Sequence, residues 1–404
     1  MSQTIKVGVF GAGRGEPYID LISREDPDVI RVVAVCDKRA DRLENMKKYE
    51  GLPRFSDFES FLEYGKKAGM NAVFLANFFH QHTPYAIRAM ENGMDVVSEC
   101  TAASTLKECV ELCRAVERTE RKYILAENYP FMTPNLLMKK LIDQGTLGTP
   151  LYAEGEYNHS GTLAELRELT PFPNHWRAWM PRTYYVTHAM GPLMYMTGSE
   201  PRYVSARAAH SGLLEKIRDF RPNDDGMARL FCEMSNGMIA SVTGCTAMAS
   251  DYSRYRVAGD IASVEQGGYT GGKVRLFYTS HTKPADVSNE EEYLTPDLAS
   301  FGPKAEQALN AGHGGGDFWI VQEMIEVLGG GGREPFFDVY RRVAMSAAAI
   351  LGWRSCLNHG ENFRIPDFRN EEERRAVESD DLTPFPDENG EGRTLPPSTR
   401  YGRY

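Results

Sequence analysis

IKVGVFGAGRGEPYIDLISRE, residues 5–25, reads as a short apolar strand, a glycine-rich turn and the start of a helix. Gly11 and Gly13 fit the first two positions of a G-x-G-x-x-G turn; the third position holds Glu16, with Gly15 one place earlier. Glycines in such a turn let the backbone approach a pyrophosphate, whose charge is stabilised at the following helix N-terminus. Alone the turn is a weak signal, because glycine-rich turns are common. Its context adds more: VIRVVAVCD (29–37) is a second buried strand, and it ends on Asp37. A carboxylate there binds ribose hydroxyls and repels a 2′-phosphate, so NAD is expected over NADP.

Outward from this unit, NAVFLA (71–76), MDVVSE (94–99) and KYILAE (122–127) are further strands separated by polar helical stretches. Strands of this length joined by helices predict right-handed βαβ units and a doubly wound parallel sheet, an α/β Rossmann domain. One of the helices is well signalled. Thr105 and Glu108 are spaced as a capping box, and Leu106, Cys109, Val110 and Cys113 follow as one apolar face.

Near residue 150 the texture changes. PLYAEGEYNH (150–159), RYVSARAA (202–209), MARLFCEMSNGMIASVTG (227–244) and KVRLFYT (273–279) alternate or pair through glycine turns, with MSNGM (234–238) the clearest hairpin. They predict an α+β domain built on a mainly antiparallel open sheet. Apolar helices are expected around 317–328 and 339–353. The expected organisation is a Rossmann domain at 1–130, a substrate-binding and oligomerisation domain at 131–368, and a polar C-terminal arm at 369–404.

A chain of 404 residues is too long for one ordinary core. Its net charge of -10 and pI of about 5.5 argue against a nucleic-acid surface. No run approaches the roughly 18 apolar residues of a membrane span, and no signal peptide is evident. The seven cysteines contain no C-x-x-C, so reduced thiols and a cytoplasmic location are expected. An antiparallel sheet with one open face predicts a homo-oligomer, a dimer or a tetramer.

Several longer stretches carry a resemblance. NAVFLANFFHQHTPYAIRAMENGMDVVSE (71–99) resembles the Gfo/Idh/MocA oxidoreductases, in which a histidine loop, a helix and a strand lead to a Glu-Lys-Pro motif. Glu99 matches the glutamate, but Cys100 and Thr101 stand where the lysine and proline are expected. SECTAASTLKECVELCRAVERT (98–119) is similar to the NAD-dependent glycoside hydrolase family 109 branch, which also lacks the lysine. YVTHAMGP (185–192), with Val186 in place of a proline, GHGGGDF (312–318), FDVYRRVAMSAAAI (337–350) and YSRYRVAGDIASVE (252–265) resemble later segments of that branch.

The resemblance implies contacts for individual residues. Arg14, Gly15 and Asp37 would meet the cofactor near its adenosine half, beside Gly11 and Gly13. Phe79, His82, Glu99, Cys100 and Asn128 would follow the dinucleotide toward the nicotinamide. Tyr157, Arg177, Tyr185, Val186, Thr187, His188 and Tyr252 would line a sugar or glycoside, the small-molecule partner.

Removing hydride from a secondary alcohol requires a base for the hydroxyl proton, and His188 is the candidate, with Tyr185 three residues before it. Two enzyme readings stay open, redox-neutral glycoside cleavage and a plain sugar or polyol dehydrogenase. A third reading, prompted by the missing lysine, is a catalytically idle dinucleotide-binding sensor or partner subunit. His80 and His82 lack matching cysteine or carboxylate spacing, so no metal is expected. Cys100 lacks the neighbouring base of a nucleophile. HGGG at 313 has no G-x-S-x-G elbow to accompany it and reads as the loop before a helix.

Overall fold

The structure, a computed structural model, describes residues 3–249, 251–387 and 389–401. The chain forms two compact units, and neither is continuous in sequence. The first combines the chain up to Asn128 with Gln307–Val343 and Phe368–Asp380; the second holds the rest.

In the first unit six strands, β1 (Ile5–Phe10), β2 (Ile30–Cys36), β3 (Arg54–Phe55), β4 (Ala72–Leu75), β5 (Asp95–Ser98) and β6 (Tyr123–Leu125), form one parallel sheet. Their order is β3-β2-β1-β4-β5-β6. Val7, Val9, Val35, Val73, Phe74, Val96 and Val97 are fully buried, as expected where helices cover both faces of a parallel sheet. The order reverses between β1 and β4, and such a switch opens a ligand crevice at the carboxyl ends of the strands. The glycine turn follows β1 at that end.

Helix Leu106–Thr119 starts as expected, with the Glu108 N–H donating to Thr105 Oγ1 at 3.1 Å. The second half of the capping box differs. Glu108 accepts from the Ser104 N–H and hydroxyl, both at 2.7 Å. Cys109 and Cys113 are fully buried.

In the second unit nine strands are ordered β14-β13-β12-β11-β7-β10-β9-β8-β15. They are β7 (Pro150–Asn158), β8 (Pro201–His210), β9 (Asp225–Met234), β10 (Ile239–Cys245), β11 (Tyr252–Gly259), β12 (Ala262–Gln266), β13 (Val274–Tyr278), β14 (Glu291–Leu294) and β15 (Phe363–Arg364). Neighbours are antiparallel except β7 and β10. Alternation divides the faces. Ala153, Gly155 and Tyr157 lie on the covered face, against helix Thr187–Thr197, where a Cβ on Gly155 would come within 2.1 Å of the Ala189 carbonyl oxygen. The other face carries a ribbon of charge. Arg229 pairs with Glu154 at 2.5 Å, Arg254 lies 3.5 Å from Glu265, and Arg275 bridges Glu265 and Glu291 at 2.5 and 2.9 Å.

The tail is not a polar arm. Helix Glu371–Val377 belongs to the first unit, where buried Arg374 grips Glu117 with two nitrogens. Beyond it, in the second unit, Phe385 and Leu395 are buried, and the Trp353 indole N–H donates to the Pro396 carbonyl at 3.0 Å. Ser398 and Thr399 donate hydroxyl hydrogen bonds to Asp224 (2.5 Å) and Asp225 (2.9 Å). Composition counts polar residues; a few apolar ones and well-placed hydroxyls suffice to dock the segment. Among the described residues no helix is long and apolar enough to cross a membrane.

Candidate functional site

The glycine turn is built by steric need. Gly11 has φ 106°, and a Cβ there would lie 2.2 Å from the Ala76 carbonyl oxygen on the loop after β4. A Cβ on Gly15 would lie 2.5 Å from Val9, so Gly15 gives the close helix–strand packing usually assigned to the third glycine, one residue early. Around Gly13 the nearest atom is Arg42 Cζ at 4.0 Å, which leaves an open cradle of backbone. Asp37 orders the turn by accepting from the Ala12 N–H at 2.7 Å and the Arg39 N–H at 2.8 Å.

The neighbouring cations are engaged elsewhere: Arg39 is bound to Asp41 at 2.6 Å and Lys38 lies over the Tyr85 ring. Beside the turn, both side-chain polar atoms of Asn77 are buried without a partner among the described residues, as is Asn128 Oδ1. Orphaned polar atoms next to an open glycine cradle fit a bound dinucleotide.

The resemblance separates Arg14 from Glu99 along the dinucleotide; the structure brings them into contact. Arg14 Nε donates to Glu99 at 2.8 Å, and its Nη2 donates to Asp317 at 2.7 Å. Asp317 also accepts from Asn128 (2.6 Å) and Tyr18 (3.2 Å) and meets His313 at 2.9 Å. Burial would raise the Asp317 carboxyl, but hydrogen bonds from His313 and Arg14 hold it well below the usual carboxylate range. Burial would lower Arg14, yet Glu99, Tyr18 and Asp317 outweigh it and hold the guanidinium above its ordinary value. Tyr18 is pushed up, first by burial and then by Glu99, so its phenol keeps its proton.

Asp317, His313, Tyr18 and Asn77 were not candidates from sequence. Only GHGGGDF, already distinctive, pointed toward the first two.

The strand end at Cys100 is equally specific. Its thiol donates to Glu127 at 2.9 Å, and Glu127 is fully buried. The structure thus places a carboxylate beside the thiol, a neighbour that no local sequence pattern supplied. The Cys100–Thr101 peptide is cis. His82 is buried with its ring nitrogens 3.1 Å from the Thr101 carbonyl and 3.3 Å from that of Asn77, tying two loops together. Burial lowers its affinity for a second proton. Phe79 is buried nearby in sequence, in the turn before helix His82–Glu91.

In the second unit His188 is 8% exposed, near the start of helix Thr187–Thr197. Its ring stacks on Tyr129 at 4.5 Å and meets Tyr157 and Tyr185 edge-on at 4.8 and 5.4 Å. The backbone is fixed by Tyr255, whose hydroxyl donates to the His188 carbonyl at 2.6 Å. Burial, then the neighbouring phenols of Tyr185 and Tyr129, push Tyr157 far up, so its phenol keeps its proton. Val186 is buried, and Thr187 Oγ1 is buried without a partner among the described residues. Arg177 lies over the Trp176 and Tyr185 rings at 4.3 and 5.8 Å. Tyr252 is 41% exposed and pairs with Asn158, one position along from the Ser253–Tyr157 pair. Tyr129, adjacent to Asn128 in sequence, was not foreseen.

A dinucleotide-binding sheet and a histidine–tyrosine cluster on a second sheet define an oxidoreductase of the Rossmann class. Residues 5–127 match the oxidoreductase family with an NAD-binding Rossmann fold. Residues 133–373 match the C-terminal domain of glycosyl hydrolase 109, and the chain belongs to that family. It is an NAD-dependent enzyme of a sugar-acting family.

Among its relatives are a glycosyl hydrolase family 109 protein of Shewanella sp. (strain MR-4), 26% identical over 91% of this chain and 85% of the relative. Another is the alpha-N-acetylgalactosaminidase of Shewanella oneidensis, 25% identical with the same coverage. A levoglucosan dehydrogenase solved with NADH and levoglucosan shares the fold, with a TM-score of 0.74 and 19% identity over 90% of this chain and 100% of the other.

Proposed function

We propose that this chain cleaves a glycoside with no net redox change, using NAD rather than NADP, with His188 and Tyr185 as its proton-transfer groups. The first unit holds the cofactor and the second the sugar. One observation carries the reading: His188 packs against Tyr129, Tyr157 and Tyr185, a base among phenols, with ring separations of 4.5 to 5.4 Å. The preference for NAD is supported by Asp37 and by the engagement of Arg39 with Asp41 and of Lys38 with Tyr85. The name of the Shewanella oneidensis relative supports the glycoside class.

Bound NAD would supply reversible hydride acceptance at sugar carbon 3. His188 takes the proton of the carbon-3 hydroxyl as the carbon is oxidised. The resulting ketone makes the carbon-2 proton acidic, and Tyr185 relays it to the aglycone oxygen as the carbon-1 bond to the aglycone breaks. Water then adds across carbons 1 and 2: its hydroxyl goes to carbon 1 and its proton, by way of Tyr185, to carbon 2. His188 gives back the hydroxyl proton as carbon 3 is reduced. The paired carboxylates of other glycosidases have no role in this sequence. The open face of the second sheet is the surface through which we expect a homo-oligomer to form.

Purified protein incubated with NAD and a panel of aryl glycosides and free sugars, recording aglycone and NADH together, tests the reading. Aglycone release without net NADH is expected. Stoichiometric NADH means a dehydrogenase, and neither signal with NAD retained means a sensor. His188→Ala is expected to lose at least about 100-fold in kcat; full turnover would overturn its role as base.

A further inference from the structure

Arg177, Arg182 and Arg221 belong to the second unit, where the Met180 carbonyl accepts from both Arg182 and Asn223, two residues beyond Arg221, and Arg177 lies over the Tyr185 ring. Arg182 and Arg221 are only 4% and 2% exposed. The Nε atom of each is buried without a hydrogen-bond partner. Arg182 does find two neutral acceptors, the Thr246 hydroxyl and the Met180 carbonyl. The Arg221 side chain has no hydrogen bond or ion pair among the described residues.

Burial first, and then the positive charges of Arg182 and Arg177, push Arg221 well below the ordinary arginine range. A carboxylate acting on Arg182 is Asp225, which already takes the Thr399 N–H and hydroxyl. Neighbouring arginines are treated differently. Arg218 holds Asp224 at 2.7 Å, and Arg229 holds Glu154 at 2.5 Å.

Burying a guanidinium without a counter-charge is costly, and arginine does not relieve the cost by losing its proton. An oxyanion ligand would relieve that cost. Arginine is suited to the task because its planar fork binds oxyanions with two parallel hydrogen bonds. Arg177, over the Tyr185 ring, connects the group to the cluster that would handle the sugar.

We propose that Arg221, with Arg182 and Arg177, receives an oxyanion substituent of the sugar substrate: a carboxylate, a sulfate ester or a phosphate ester. This rests on the reading of the Tyr185–His188 cluster as the sugar site, and it narrows the substrate to an acidic glycoside.

The test uses the full chain with NAD bound. Calorimetric titration compares galacturonate, galactose 6-sulfate and galactose 6-phosphate with neutral galactose at constant ionic strength. At least one acidic sugar is expected to bind about 10-fold or more tightly than galactose, and which one does so identifies the oxyanion. Arg221→Met is expected to bring that ratio close to one. In thermal unfolding without ligand, Arg221→Met is expected to shift the midpoint upward, because an unpaired buried charge is gone. Inorganic sulfate should raise the midpoint of the wild type and not of the variant.

Equal binding of acidic and neutral sugars overturns the proposal, as does a preference unchanged in Arg221→Met. A variant that unfolds earlier, or fails to fold, also overturns it, since the arginine is then a structural support. Sulfate that protects both proteins equally is an adventitious ion only and counts against the proposal. Turnover of neutral glycosides without acidic preference refutes the oxyanion alone; acidic-sugar binding with no glycoside turnover refutes the enzymatic reading and leaves the anion site standing.

Discussion

Asp317 takes hydrogen bonds from Arg14, Tyr18 and Asn128 and meets His313, four side chains around one buried carboxylate. Replacing it with asparagine keeps the shape and removes the charge, leaving Arg14 with Glu99 alone. Breaking such a buried pair costs about 3 kcal/mol. The pH dependence has a definite sign. The folded carboxyl lies below its unfolded value of about 3.9, so its contribution is complete above that pH and is lost as pH falls toward the folded value. Urea midpoints of wild type and Asp317→Asn should therefore differ fully at pH 7 and at pH 5, and the difference should begin to narrow once pH falls below about 3.9. A difference that persists unchanged at pH 3 would show that the charge is not its source.

The glycine turn separates packing from binding within one element. Around Gly13 there is room for a methyl group, and the residue lies inside helix Ala12–Ile22. Gly13→Ala should leave stability unchanged or raise it by about 0.5–1 kcal/mol, while NAD affinity falls at least about 10-fold because the methyl occupies the cradle. Gly15→Ala should do the reverse at the fold: its Cβ meets Val9 at 2.5 Å, and overpacking costs about 1–3 kcal/mol. Unfolding midpoints with and without NAD check both, and equal effects of the two variants would refute the division of roles. The turn's place after β1 was legible in the sequence because a strand, two glycines and an acid are local signals. That Gly15 does the third glycine's work was not, since it depends on Val9 across the strand–helix interface. Thr105 and Glu108 teach the same lesson, because the Glu108 carboxylate takes both donors of the preceding Ser104.

At the scale of the whole chain, the C-terminal segment closes the second unit rather than decorating it. A chain ending at Asp380 would expose the surfaces that Phe385 and Leu395 cover. It would also leave the Trp353 N–H without the Pro396 carbonyl and strip Asp224 and Asp225 of the Ser398 and Thr399 hydroxyls. Each buried group left unpaired costs about 1–3 kcal/mol. The truncated protein is expected to unfold several degrees earlier and to bind a hydrophobic dye. An unchanged midpoint would make the tail the appendage that its composition suggested. The first unit depends on distant segments too, since Gln307–Val343 and Phe368–Asp380 return to the Rossmann sheet.

The sequence by itself determined the strand–turn–helix opening, Asp37 at the end of β2, the parallel first sheet and the largely antiparallel second. Those features follow from side-chain periodicity and from glycine sterics, which act over a few residues. Only the tertiary structure decided that Arg14 binds Asp317, 303 residues away, and that Asn128 joins them across 189. It also decided that Cys100 donates to Glu127, that Tyr129 stacks on His188, and that Arg221 is buried beside two other arginines. Charge, desolvation and hydrogen bonding act through space, so their partners are set by the folded distances between groups and not by their spacing along the chain.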